Sequence, residues 1–82
     1  CLCMPKLRDI SGKKLIKVFE SFGFVFIGQK GSHIKMNRHY FGKIQTLVVP
    51  NHFSIAKGTL KDIYTQALQY LPEKELKKIF YS

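Results

Sequence analysis

The sequence has no tryptophan and only two cysteines, at positions 1 and 3, in 82 residues. Two thiols that close together, with no further Cys and no nearby His, do not complete a zinc site and do not frame a disulfide scaffold. They are read as incidental, and neither a metal nor another cofactor is expected. No apolar run approaches the roughly 18 residues that span a bilayer. The leading residues Cys1, Leu2, Cys3, Met4 and Pro5 lack the basic region and long apolar segment of a secretion signal. A cytoplasmic protein without a membrane partner is therefore expected. The most informative shortage is of negative charge: Asp and Glu number 5 against 14 Lys and Arg, a formal charge of +9, and none lies between Ser21 and Lys61.

That acid-free stretch holds Lys30, Lys35, Arg38, Lys43, Lys57 and Lys61 together with the histidines His33, His39 and His52. It is too apolar and too alternating for a disordered basic tail, and a folded cationic face attracts polyanions. Nucleic acid, an acidic protein and an anionic membrane surface all fit that description. Apolar residues make up 45% of the chain, with seven Phe and four Tyr supplying large buried areas, so one small globular domain is expected over residues 1–82. There are no repeats, linkers or low-complexity segments.

Ser11 is an N-cap residue, Ile10 and Leu15 are spaced as a hydrophobic staple, and Leu15, Ile16, Phe19 and Phe22 recur at helical intervals. Gly23 closes that helix, predicted over residues 12–22. From residue 24 to 38 the period falls to two, with Lys30 and Gly31 at a tight turn between two strands. A third run, residues 44–49, is rich in β-branched side chains and ends at Pro50 and Asn51. Thr59 is a candidate N-cap for a second helix whose apolar stripe is Leu60, Ile63, Tyr64, Ala67 and Leu68. Pro72 opens a short last helix with Glu73 and Glu75 at its start and Lys77 and Lys78 at its end, as the macrodipole favours. The predicted class is α+β in the order α-β-β-β-α plus a short C-terminal helix: a three-stranded antiparallel sheet with helices on one face.

Alternation along the second strand sends Ile34 and Met36 toward the helices and His33, Lys35 and Asn37 to the open face. His33 is the first candidate for chemistry, since an imidazole exchanges protons near neutral pH and neighbouring cations hold a phosphate and its developing charge. RNA carries its own nucleophile in the 2′-OH, so one base and a few cations suffice for cleavage. The alternative is an ordinary exposed strand residue. His39 and His52 sit at turn and loop positions, with His52 a possible helper, and the three histidines match no metal-ligand spacing. Lys57, just before the second long helix, is placed to meet a phosphate at that helix's N-terminus. The phenylalanines read as core, with Tyr40 and Phe41, at a turn, the two aromatics open to base stacking.

Several short motifs, in order, resemble one family. Ser11-Gly12-Lys13-Lys14-Leu15-Ile16-Lys17, Gly23-Phe24-Val25-Phe26, Gln29-Lys30-Gly31-Ser32-His33, Val49-Pro50-Asn51-His52 and Lys57-Gly58-Thr59-Leu60 are similar to segments of the HicA toxins. The resemblance covers about residues 5–70, leaving residues 71–82 as a C-terminal helical extension. It implies a fold like that of a double-stranded-RNA-binding domain, in a small toxin that cleaves mRNA and is monomeric when alone. It also implies a HicB-like antitoxin partner that covers the active face, and a catalytic role for the histidine of Gly31-Ser32-His33. RNA contacts are then expected from Lys30, Gly31, Ser32, Lys35, Arg38 and Lys57. Two other functions compete with the metal-independent endoribonuclease: an RNA-binding module without catalysis, and a protein-interaction domain whose basic face only docks an acidic partner.

Overall fold

The computed structural model describes residues 6–81, and the two cysteines lie outside them. The elements are α1 (Gly12–Ser21), β1 (Val25–Lys30), β2 (His33–Tyr40), β3 (Lys43–Pro50), α2 (Lys57–Leu68) and α3 (Glu73–Phe80). The strands form one antiparallel sheet in the order β1-β2-β3. The α+β architecture expected from the pattern is the one observed. No helix among the described residues is long and apolar enough to cross a membrane.

α1 begins where its cap chemistry puts it. The Ser11 hydroxyl accepts from the Lys14 N–H at 3.1 Å, and Ile10 and Leu15, the staple pair, are both buried. The helix ends in a Schellman closure: the Gly23 N–H donates to Glu20 O, the Phe24 N–H to Phe19 O, and Gly23 takes φ +98. α2 departs from expectation. Its N-cap is Ala56, without a side-chain bond, and Thr59 lies inside the first turn. The reason is long-range, because Ile55 is buried and its N–H donates to Ile10 O, which fixes the chain just ahead of residue 57.

One face of the sheet carries the core. Ile34 and Met36 of β2 and Leu47 and Val49 of β3 meet Leu15 and Phe19 of α1, Leu60 and Ile63 of α2, and Leu76 and Phe80 of α3 in one apolar cluster. α1 and α2 pack on β3, and α3 packs on α2, so β1 is an edge that the helices leave largely bare. Phe26, register partner of the buried Met36, is accordingly half exposed. The C-terminal segment closes back on the start of the chain: Leu7 bridges to Tyr81, and the Arg8 N–H donates to Phe80 O at 2.7 Å. Residues beyond 70 thus share the core with the rest. Tyr64 is buried against the rings of Phe80 and Tyr81, and burial, with the nearby Glu73 carboxylate, raises its phenol above the ordinary range.

The two hairpins use two-residue loops of different kinds. Between β1 and β2 the loop is Gly31-Ser32, one residue later than the predicted Lys30-Gly31 turn, and Gly31 has φ +60, as the first position of a type II′ turn requires. Between β2 and β3 it is Phe41-Gly42, both with positive φ (49 and 76), the pattern of a type I′ turn. Asn, Asp or Gly normally fills the first of those positions. A phenylalanine there costs about 1–2 kcal/mol.

Candidate functional site

The Gly31-Ser32 turn is held from outside its own hairpin. Ser32 O accepts the Asn51 N–H at 2.6 Å, and the Ser32 hydroxyl lies 3.2 Å from His52 Nε2. His52 is in turn fixed through its carbonyl, which accepts the Gly12 N–H at 2.8 Å. Gly12 is needed for that approach: a Cβ there would collide with the Pro50 carbonyl oxygen and lie 2.9 Å from Asn51 Cα. The start of α1, the loop after β3 and the turn before His33 are thereby locked into one unit. Sequence reasoning placed His52 as a helper but assigned Gly12 no function. Its signal was its place directly after an N-cap serine, where glycine adds nothing to helix stability.

His33 opens β2 opposite Lys30 on β1 and Pro50 on β3. Its side chain is exposed on the open face, as alternation predicts, and Lys35 follows two positions on. Ile27, Gly28, Gln29, Lys30, His33, Lys35 and Val48 line one open groove. Two features of β1 shape it. The register slips between Phe26 and Gly28, so Ile27 is the extra residue of a β-bulge. At Gly28, paired with Lys35, a Cβ would meet nothing within 4 Å, which shows that glycine is not there for packing; it leaves the groove clear. Among the described residues neither Lys30 nor Lys35 has an ion-pair partner, and the described pairs are Lys57–Asp9, Lys77–Glu73 and Lys78–Glu75. The groove therefore offers one imidazole, two free ammonium groups, apolar walls and no carboxylate.

Of the expected RNA contacts, Lys30 and Lys35 line this groove, Gly31 and Ser32 form the turn beside it, and Arg38 and Lys57 lie elsewhere. Arg38 has the same strand parity as Ile34 and Met36 and points to the helix face. There its guanidinium donates to Gln45 Oε1 at 2.8 Å, Phe22 O at 3.0 Å and Tyr70 O at 3.1 Å. It also lies between the rings of Phe24 and Tyr40, 5.0 and 4.5 Å from their centroids. This arginine ties the end of α1, the sheet and the residues after α2 together. Lys57 is likewise engaged, its ammonium 2.9 Å from Asp9 Oδ1 and donating to Leu7 O at 2.8 Å. No three His, Cys, Asp or Glu side chains among the described residues gather closely enough to hold a metal ion.

Comparison with known proteins gives one family. A model described as the HicA toxin of bacterial toxin-antitoxin systems matches residues 12–68. The match runs from α1 to the end of α2 and includes every residue of the groove and of the unit that braces it. No curated protein and no solved structure matches the chain.

Proposed function

The chain belongs to the HicA toxin family, the toxin half of bacterial toxin–antitoxin pairs, and from that premise we propose that it is an endoribonuclease that cleaves mRNA with His33 as its acid–base residue. The observation that carries this reading is the groove: an exposed imidazole beside two lysines that have no ion-pair partner among the described residues, in a region that contributes no carboxylate. Cleavage of RNA at such a site is an internal transesterification. The 2′-oxygen bonds to the neighbouring phosphorus, the bond from phosphorus to the 5′-oxygen breaks, and the products are a 2′,3′-cyclic phosphate and a 5′-hydroxyl. His33 moves a proton in that step, from the 2′-OH or to the departing 5′-oxygen. Lys30 and Lys35 hold the phosphate and the charge it gains, as preorganised cations do in an acyl or phosphoryl transition state. The backbone of Gly31 and Ser32 sets the approach, and His52 acts at one remove by holding Ser32.

A HicB-like antitoxin then silences the toxin by covering this groove. The complementary partner is acidic where it docks, because no carboxylate among the described residues pairs with Lys30 or Lys35. The proposed RNA contacts exclude Arg38, which is bonded within the fold, and Lys57, which is paired with Asp9 away from the groove.

The test is incubation of purified protein and its His33→Ala variant with a structured RNA in the presence of chelator, followed by identification of the product ends. His33→Ala should lose at least about 10²-fold in rate, the usual contribution of one acid–base group, with an unchanged melting temperature. Cutting by His33→Ala at the wild-type rate would overturn the assignment.

A further inference from the structure

The β2–β3 hairpin tip combines features that the groove does not explain. Phe41 is 88% exposed and held at φ +49, a conformation that bulky side chains avoid and that no burial of its ring repays. The ring is nevertheless braced. It meets Tyr40 edge to face at 4.5 Å, Tyr40 rests on the Arg38 guanidinium at 4.5 Å, and Arg38 is bonded to backbone carbonyls of Phe22 and Tyr70. An exposed aromatic fixed by a relay into the core is preorganised for a partner, and fixing it beforehand lowers the entropy cost of binding.

From this geometry, and resting on the reading that RNA is the substrate, we infer that Phe41 is a stacking site for an unpaired nucleobase of the RNA strand that is cut at His33. The charge around the tip and its place at the end of β2 fit an RNA strand. The tip carries His39 and Lys43 and no acid, and the face between tip and groove presents Lys35, Asn37 and His39 in register. Asn37 is held there by Thr46, whose hydroxyl donates to its Oδ1 at 3.0 Å. A single free aromatic face suits a base, since every base has a π-face. Phe41 stands eight positions after His33, about 26 Å at roughly 3.3 Å per residue. The bound strand therefore extends several nucleotides beyond the cut.

The experiment uses a cleavage-incompetent His33→Ala background and a labelled single-stranded RNA at low salt. Adding Phe41→Asn should leave the melting temperature at or above that of the parent, because Asn takes a left-handed φ readily at a type I′ turn. The same change should weaken RNA binding by about tenfold, the scale of one lost base–aromatic stack. Phe41→Tyr should retain the affinity. On RNA whose bases are replaced by abasic sugars, the parent and Phe41→Asn should bind alike. Equal affinity of the two for normal RNA, or an equal loss on abasic RNA, would overturn the inference while leaving the nuclease reading intact. Absence of RNA binding by the parent would overturn both.

Discussion

At Gly28, β1 carries no side chain on the strand position facing Lys35, and the space it leaves is the middle of the groove that holds His33. Its φ is not in the left-handed region and a Cβ there meets nothing, so any strand-forming residue fits the fold. Gly28→Val should keep or raise the melting temperature, since glycine weakens a strand. It should nonetheless lower kcat/KM for RNA cleavage by about tenfold or more, because misplacing substrate by an ångström is that costly. Steady-state kinetics beside a thermal melt would check the split, and a variant that is both stable and fully active would place the substrate elsewhere. Residues at this scale were unequally legible. Alternation alone put His33 and Lys35 on the open face, and the same counting puts Arg38 with Ile34 and Met36, so its inward direction was available from the sequence. The engagement of Lys57 was not, because its partner Asp9 lies on a distant segment brought near only by the closed fold.

Among the elements, α1 and α3 illustrate two ways of supporting a site. α3 buries Leu76 and Phe80 in the core far along the chain from the groove, whereas α1 touches the site's own scaffold through Gly12 and the His52 carbonyl. Leu76→Ala should lower stability by about 2–5 kcal/mol, the usual range for truncating a buried leucine, and leave the activity of the folded fraction unchanged. Gly12→Ala should also destabilise, through the collision with Pro50 and Asn51, but it should reduce activity at a temperature where both variants are fully folded. Urea denaturation paired with a cleavage assay separates the two, and equal activity would show that the bracing of Ser32 by His52 is dispensable. Element type and order were readable because the hydrophobic period changes cleanly from helical to alternating and back between Ser11 and Pro72. The start of α2 was not: Thr59 had good cap chemistry, but the buried Ile55 and its bond to Ile10 decided the boundary from outside the helix. The turn at Tyr40 and Phe41 was located, but its type was hidden, since a phenylalanine in a left-handed position contradicts the local preference on which turn prediction depends.

For the whole molecule, a formal charge of +9 predicts attraction to RNA but not which cations meet it. The structure divides them by what they already touch. Lys30 and Lys35 line the groove without an ion-pair partner among the described residues, while Lys57 is paired with Asp9 and Arg38 is bonded to two backbone carbonyls and a glutamine. Each lysine that neutralises a phosphate of single-stranded RNA releases counterions and contributes about −0.7 to the slope of log K against log salt. Lys35→Ala should therefore make the slope shallower by about 0.7 and weaken binding across RNA sequences alike. Lys57→Ala should leave the slope nearly unchanged and cost no more than about 1 kcal/mol of stability, the scale of an exposed ion pair. Titrations of both variants against one RNA over a range of salt would read this directly. If Lys57→Ala proved the one that flattens the slope, RNA would lie over the start of α2, and the groove around His33 would lose its claim to the phosphate.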